Sequence, residues 1–234
     1  MKRQDGLVPE GDTVWNTARV LADAIEGQVL TRSDFRVPQL ATVDLQGWLV
    51  AESASYGKHL LLRLTREPDR AMTLHSHLRM DGTWRTYQPG ERWTGRPAHL
   101  IRVALHAPAS VAVGFHLHVL AIVPTAEEHR LIGHLGPDLM GEGWDPAEAV
   151  ARLAARPDRP IADALLDQRN LAGIGNLYKA EVLFLRGVNP WTATAPSVNA
   201  ISAAVPHSSV RSGCLNRWTP CTSAAPPRFA RIAP

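Results

Sequence analysis

The loop NLAGIGN, residues 170–176, carries residue types whose spacing could bind a phosphate group. Gly173 and Gly175 stand two residues apart, and Asn176 opens an apparent helix. Backbone N–H groups in such a turn converge at the positive end of the helix dipole, where they can bind one phosphate of a nucleic-acid backbone. Glycine–asparagine turns between helices are also common as purely structural elements, so the loop alone leaves both roles open.

The stretch SHLRMDG, residues 76–82, predicts a turn between two strands with Arg79 and Met80 at its tip. Apolar side chains of this kind can enter a base stack when a nucleotide has been flipped out of the duplex. Taken without context, the stretch is more typical of a plain hairpin that exposes one methionine. The sequence therefore offers a candidate wedge whose role depends on its surroundings.

Two His-x-His pairs, His75/His77 and His116/His118, fall in predicted strands, where alternate residues share a face. This spacing suits zinc. A zinc site also needs a third protein ligand and usually a carboxylate partner, and the sequence marks neither. We therefore predict no metal ligand and interpret both pairs as residues on polar strand faces.

A proline followed by a glutamate, Pro9–Glu10, stands at the head of the first apparent helix. The run before it, MKRQDGL, is too short, too polar and too mixed in charge to be a secretory signal or a transit peptide. The pair thus lies near the start of the chain but not at it, and the residues before it carry no motif.

Composition and charge restrict the class of protein. The 234 residues can bury one large core or two modest ones, and no apolar run is long enough to span a bilayer. Cys214 and Cys221 both lie near the C-terminus and cannot form a disulfide framework, so we expect a soluble cytoplasmic protein. All 22 acidic residues precede residue 182, whereas the last 53 residues hold five arginines, so charge alone does not indicate a DNA-binding surface.

The order of the predicted elements indicates an α+β protein. Apolar residues at helical spacing predict a helix from Asp12, its N-cap, to Glu26, with Gly27 as its end. Six β-like runs between residues 48 and 123 predict an antiparallel sandwich or barrel. Helices are predicted over 145–156, with Asp145 as N-cap, and then over 160–168 and 176–187.

The predicted elements divide the chain into four segments. Residues 1–8 are an extension, 9–125 an antiparallel β-sandwich domain with a leading helix, and 126–191 a helical domain. Residues 192–234 are rich in Ala, Ser and Pro and lack acids, which predicts an irregular tail. A disordered tail and a reading-frame shift are the alternatives, and the abrupt loss of acidic residues favours the shift.

Five stretches together resemble the formamidopyrimidine-DNA glycosylase and endonuclease VIII family, most closely bacterial endonuclease VIII. In order they are PEGDTVW, YGKHLLL, LHSHLRMDGTW, HLGPDL and LLDQRNLAGIGNLYKAEVLF, and they cover the chain from Pro9 to about Trp191. The resemblance implies that 126–191 contains a helix–two-turn–helix motif. It also implies damaged double-stranded DNA as the partner of a monomeric enzyme that does not act on membranes.

By this resemblance the catalytic residues are Pro9, Glu10 and Lys58. The secondary amine of an N-terminal proline would attack the deoxyribose C1′, because an α-amino group has a pKa of about 7.7–8, well below that of lysine, and much of it is neutral at physiological pH. Glu10 would protonate the opening sugar if its surroundings raised its pKa. Lys58 would hold a phosphate or assist proton transfer. The implied activity is excision of oxidised bases, pyrimidines in particular, followed by strand cleavage.

The resemblance also implies DNA contacts from Arg79, Met80, His134, Gly175 and Asn176. His134 stands where the family's endonuclease VIII branch has an arginine, and Thr13 replaces a glutamate that is frequent in the first helix.

Two features depart from the family pattern. The family's C-terminal zinc finger needs four cysteines, and this chain has two, so we predict no zinc cofactor and a truncated or frame-shifted C-terminal end. If residue 8 stays attached, the Pro9 nitrogen is an amide and cannot be a nucleophile. One alternative is that the chain keeps these residues and is a catalytically impaired DNA-binding remnant. The other is that translation starts at Val8, read as methionine, and that removal of this methionine frees the Pro9 amine. We favour the second.

Overall fold

The computed structural model describes residues 9–197 of the chain. The expectations for residues 1–8, for the tail from residue 198 onward and for Cys214 and Cys221 lie outside the described residues. Among residues 9–197, none of the helices combines the length and the apolar character that crossing a bilayer requires.

The first helix, α1, spans Gly11–Ile25 and buries the apolar face that the sequence predicts. The buried residues on that face are Val14, Ala18, Leu21 and Ile25. Gly27 follows the helix with a φ of +74°, a conformation that costs glycine little, so the predicted end is confirmed. The predicted N-cap was wrong, because Asp12 lies inside the helix and Glu10 occupies the cap position.

Within the described residues, eight strands form two antiparallel sheets of four strands each. One sheet has the order β1–β6–β7–β5, and the other has the order β2–β3–β4–β8. The strands are β1 (Arg32–Phe35), β2 (Leu49–Tyr56), β3 (His59–Arg66), β4 (Arg70–His77), β5 (Thr83–Tyr87), β6 (Ile101–His106), β7 (Val111–Phe115) and β8 (Val119–Pro124).

Two strand predictions differ from the structure. Strand β1 was missed, because its sequence RSDF has one buried residue in four and no alternation to detect. The run 111–123 was predicted as one strand but forms two, β7 and β8, which belong to different sheets. The chain crosses between the sheets at residues 116–118, where His116 has a φ of +53°. His116 and His118 therefore lie in a turn and not on a strand face.

The main core lies among α1 and the two sheets. Helix α1 contacts β2 and β3 of one sheet and β5 and β7 of the other. Leu60, Leu62 and Leu64 of β3 point into this core together with Val103 and Leu105 of β6. Their alternate spacing is the pattern expected of sheets with one buried face.

Four helices follow the sandwich in the described part of the chain before residue 190. They are α2 (His129–Ile132), α3 (Pro146–Ala154), α4 (Ile161–Leu166) and α5 (Asn176–Leu185), and the last three enclose a second apolar cluster. The cap of α3 is confirmed, because the Asp145 carboxylate accepts hydrogen bonds from Ala147 N at 2.8 Å and Glu148 N at 3.3 Å.

Residues 192–197 depart from the predicted irregular tail. The Ile161 N–H donates to Thr192 O at 2.9 Å, and Thr194 N–H donates to Arg159 O at 2.9 Å. Thr194 is fully buried, and residues 194–197 are helical. This segment therefore packs against the start of α4 as part of the helical unit.

Candidate active site

Glu10 lies where the start of the chain meets the first turn of α5. Its side chain is 1% exposed, and its carboxylate accepts hydrogen bonds from Gly175 N at 2.7 Å, Leu177 N at 2.7 Å and Tyr178 N at 3.3 Å. Helix α5 has no capping side chain of its own at Gly175. A carboxylate at this point satisfies the free N–H groups and faces the positive end of the helix dipole.

The turn before α5 is held in shape from both sides. Gly173 has a φ of +104°, and its carbonyl accepts the Gly11 N–H at 2.9 Å. The Gln168 amide donates to Ile174 O at 2.8 Å, and its oxygen accepts the Gly173 N–H at 3.1 Å. Because these bonds fix the turn, the backbone N–H groups that reach Glu10 are fixed as well.

Lys58 reaches the same point from the two-residue turn between β2 and β3. A methyl group built on Gly175 would lie 2.5 Å from Glu10 Oε1 and 2.7 Å from Lys58 Nζ, so both side chains approach Gly175 closely. Burial lowers the pKa of Lys58, and the neighbouring Glu10 charge opposes that shift. A lysine with a lowered pKa is neutral more often than an exposed one, so it is more readily available to accept a proton.

Arg79 and Met80 project from the tight turn that follows β4. Gly82 N–H donates to Leu78 O at 2.8 Å, which closes the turn, and Arg79 has a φ of +52°. Met80 is 66% exposed. Since burying a thioether side chain is favourable, an exposed methionine at the rim of a cavity is available to pack against a bound molecule.

Seven of the eight site residues predicted from the sequence line one cavity of about 620 Å³, namely Pro9, Glu10, Lys58, Arg79, Met80, Gly175 and Asn176. Met80 and Asn176 thus face the same cavity from different parts of the chain. His134 is exposed and does not line it. The pair His75/His77, predicted to be on a polar face, also lines the cavity, and His75 is buried.

Three histidines form one wall of the cavity. His59 Nδ1 lies 2.8 Å from His75 Nε2, with the two rings stacked at 5.0 Å, and His77 meets His59 edge-on at 5.2 Å. Burial lowers the pKa of His59 to about 3, that of His77 to about 4 and that of His75 as well. The buried His75 Nδ1 has no hydrogen-bond partner, which favours the tautomer that carries the proton on Nε2.

Three site features were not predicted from the sequence. Gln168 lies in the quoted stretch LLDQRN, but its role as a brace of the turn depends on residues that only the fold brings near. His59 and His75 stack because the antiparallel pairing of β3 with β4 brings them close together. Asp12 accepts the Tyr178 hydroxyl at 2.7 Å, which ties α1 to α5.

Two family models match the chain. Residues 8–118 match the formamidopyrimidine-DNA glycosylase N-terminal domain, and residues 135–212 match the formamidopyrimidine-DNA glycosylase H2TH domain. The first covers the sandwich with Glu10, Lys58 and Met80, and the second covers the turn with Gly175 and Asn176. The two halves of the candidate site thus fall in two domains of one family.

Curated relatives agree with the family models. The chain is 59% identical over 184 residues to the probable endonuclease 8 2 of Streptomyces coelicolor, covering 79% of this chain and 65% of that protein. It is 45% identical over 189 residues to the DNA-(apurinic or apyrimidinic site) lyase Nei2 of Mycolicibacterium smegmatis, covering 81% of this chain and 70% of that protein. The chain belongs to the formamidopyrimidine-DNA glycosylase and endonuclease VIII family.

Solved structures share the fold. A Lactococcus lactis Fpg in complex with DNA that contains an abasic site superposes with a TM-score of 0.67 at 24% identity, covering 86% of this chain and 75% of that one. The wild-type Lactococcus lactis Fpg bound to DNA with an N7-benzyl-Fapy-dG superposes with a TM-score of 0.69 at 22% identity, covering 84% and 76%. The α+β architecture predicted from the sequence is confirmed.

Replacing Gly175 by alanine should destabilise the chain. The added methyl would meet the Glu10 carboxylate and Lys58 Nζ in a packed region, and we expect a loss of about 1–3 kcal/mol in the free energy of unfolding. Gly143→Ala is the matched control, because an added methyl there meets nothing within 4 Å, and it should change stability by less than about 0.5 kcal/mol. Denaturant unfolding measures both. Equal effects would contradict the close contact.

The histidine wall should make stability depend on pH. A histidine whose pKa is lower in the folded than in the unfolded chain binds fewer protons when folded. The stability that such a histidine contributes is therefore fully present above pH 6.5, the pKa in the unfolded chain. It is lost as the pH falls toward the pKa in the folded chain, which is about 4 for His77 and about 3 for His59. We expect the free energy of unfolding to fall over this range in denaturant titrations. His59→Gln with His75→Gln should flatten the slope, and the exposed His99→Gln should not.

Proposed function

We propose that this chain is a bifunctional DNA glycosylase and abasic-site lyase that removes oxidised bases, pyrimidines in particular, from duplex DNA. One observation carries the proposal. The three residues that the family resemblance marks as catalytic, Pro9, Glu10 and Lys58, line the same cavity as the wedge residue Met80 and the phosphate-binding residue Asn176. Nucleophile, acid, cation and DNA-anchoring groups are thus available to one substrate.

Pro9 is the proposed nucleophile. A free secondary amine attacks C1′ of the damaged nucleotide, the glycosidic bond breaks, and the base leaves with the bonding electrons and a proton. Opening of the sugar breaks the C1′–O4′ bond and leaves an iminium ion between the Pro9 nitrogen and C1′. The iminium acidifies the C2′ proton, whose removal expels the 3′ phosphate by β-elimination. Hydrolysis of the iminium then releases Pro9.

Glu10 is the proposed acid for sugar opening. It directly follows Pro9, so its backbone fixes the position of the nucleophile, and its buried side chain is anchored at the start of α5. Lys58, whose pKa is lowered by burial, would exchange a proton with this carboxyl group or contact a phosphate. Both groups lie in a recess from which a bound duplex would exclude water.

The proposed DNA contacts surround this recess. The start of α5 would present Asn176 to a backbone phosphate, whereas the N–H groups of Gly175, Leu177 and Tyr178 donate to Glu10. Met80 and Arg79 face the cavity from the sandwich and would fill the gap left by the flipped nucleotide. We further propose that the enzyme acts as a monomer. The lyase name of the Mycolicibacterium smegmatis relative supports the second half of the activity.

The family's zinc finger enters no step of this proposal. Residues 9–197 contain no cysteine, so the described part of the chain offers no thiolate ligand for it. Cys214 and Cys221 lie outside the described residues.

A chain that begins at Pro9 should form a covalent complex with abasic-site DNA that borohydride traps. The free secondary amine can form the iminium, and reduction makes the bond permanent. The same chain with Val8 and the preceding residues retained should give little or no trapping, because the Pro9 nitrogen is then an amide. Gel electrophoresis measures the trapped complex, and mass spectrometry verifies each N-terminus.

Strong trapping by a chain verified to retain residue 8 would refute Pro9 as the nucleophile. Lys58→Ala in that same chain would then show whether Lys58 forms the adduct instead. Trapping by neither chain, with DNA binding intact in a filter assay, would favour the alternative of a DNA-binding remnant without catalysis.

Met80→Ala should weaken excision of an oxidised base from duplex DNA by about tenfold or more and change cleavage of a preformed abasic site by less than about threefold. Flipping a stacked base costs a few kcal/mol that the inserted side chain offsets, whereas an abasic nucleotide has no base to unstack. Val20→Ala is the matched control, since Val20 is exposed on α1 away from the cavity. Single-turnover rates on both substrates measure the two effects. Equal losses of rate on both substrates would assign Met80 a purely structural role.

A further inference from the structure

A second cluster of ligating side chains lies where the turn after β4 meets the crossover from β7 to β8. Asp81 Oδ2 lies 2.7 Å from His116 Nδ1, and Asp81 Oδ1 lies 3.0 Å from His118 Nε2. Among residues 9–197, these three side chains form a group in which one possible ligand atom from each lies within 4.8 Å of the other two. These three residues do not belong to the lining of the candidate active site.

The backbone holds both imidazoles toward the carboxylate. His116 adopts a φ of +53°, which a non-glycine residue rarely does, and its N–H donates to Leu100 O at 2.7 Å. The three-residue crossover 116–118 joins strands of different sheets, which limits its freedom. The two rings lie 4.5 Å apart. The cluster is therefore assembled from two separate turns whose ends are anchored in sheets.

We propose that Asp81, His116 and His118 form a binding site for a divalent transition-metal ion such as Zn²⁺. Two imidazole nitrogens and one carboxylate oxygen are a ligand set that binds zinc and leaves a fourth position for water. Imidazole ligands also favour such an ion over magnesium or calcium, which prefer oxygen donors throughout.

The three side chains can reach a zinc geometry by rotation about their own bonds. Zinc bonds of about 2.0–2.1 Å in a tetrahedral site place neighbouring ligand atoms about 3.3 Å apart. The separations of 2.7 and 3.0 Å are to different carboxylate oxygens, Oδ2 and Oδ1, so binding through one oxygen requires the Asp81 carboxylate to rotate while the nitrogen–oxygen distances lengthen. On binding, any proton on His116 Nδ1 or His118 Nε2 moves to the other ring nitrogen or to solvent.

The ion would act on the loop that carries Met80. Asp81 follows Met80 directly, whereas His116 and His118 belong to the crossover between the sheets. A bound ion would therefore cross-link the tip of this loop to the body of the sandwich. This proposal does not depend on the proposed enzymatic activity, because metal binding and loop protection are measured without DNA.

Titration of the full 234-residue chain with Zn²⁺ in a calorimeter tests the site. We expect one ion per chain. His116→Ala and His118→Ala should each weaken binding by at least about tenfold, since losing even an outer-shell partner costs about 10–100-fold in metal affinity. Asp81→Asn should weaken it as well. The matched control is His99→Ala, an exposed histidine outside the cluster, which should bind as the unchanged chain does.

Two further measurements separate this site from the cysteines. A chain with Cys214→Ser and Cys221→Ser should bind Zn²⁺ unchanged, and Co²⁺ in its place should give a spectrum without a thiolate charge-transfer band. Hydrogen exchange of the amides at 79–82 should slow when Zn²⁺ is added, and not in the His118→Ala chain. Absence of stoichiometric binding, survival of binding without His116 and His118, or its loss in the cysteine variant would each overturn the proposal.

Discussion

The hydrogen bonds between the Glu10 carboxylate and the first turn of α5 are the interaction on which the rest of the site depends. They join Glu10 to three residues more than 160 positions later in the sequence, and they satisfy N–H groups that a helix start leaves without partners. Glu10 is almost fully buried, so removing either side would leave a buried charge or buried donors unsatisfied. Fixing Glu10 also fixes Pro9, its neighbour in the chain.

This interaction requires three chain segments to meet at backbone distance, and the glycines mark where they do. A methyl group on Gly11 would lie 2.8 Å from Gly173 Cα, and one on Gly57 would lie 3.0 Å from Ala172 Cβ. The sandwich thus contacts the turn before α5 through α1 and through the β2–β3 turn that carries Lys58. A side chain at Gly11 or Gly57 would force these segments apart, so the glycines permit the close approach.

Local patterns predicted the elements well, and tertiary contacts account for the errors. The apolar period of α1 and the Asp145 cap were both visible in the sequence, because they depend on neighbours along the chain. Asp12 was a reasonable N-cap by residue type, but its carboxylate accepts the Tyr178 hydroxyl and Glu10 turns toward α5 instead. Neither contact could be predicted from the neighbouring residues in the sequence. Likewise Asp81 lies 35 residues from His116, so the carboxylate beside the His-x-His pair appeared only with the fold.

The geometry of Glu10 also limits how one carboxyl group could both anchor a helix and serve as the proposed acid. Oε2 accepts two N–H groups, from Gly175 and Tyr178, whereas Oε1 accepts one, from Leu177. A carboxylate oxygen offers about two lone-pair positions, so Oε1 is the oxygen with room for a proton. Oε1 is also the oxygen that faces the point near Gly175 approached by Lys58 Nζ. A proton transferred through Oε1 would leave both short N–H bonds in place, so the helix anchor and the proposed acid step are compatible in this arrangement.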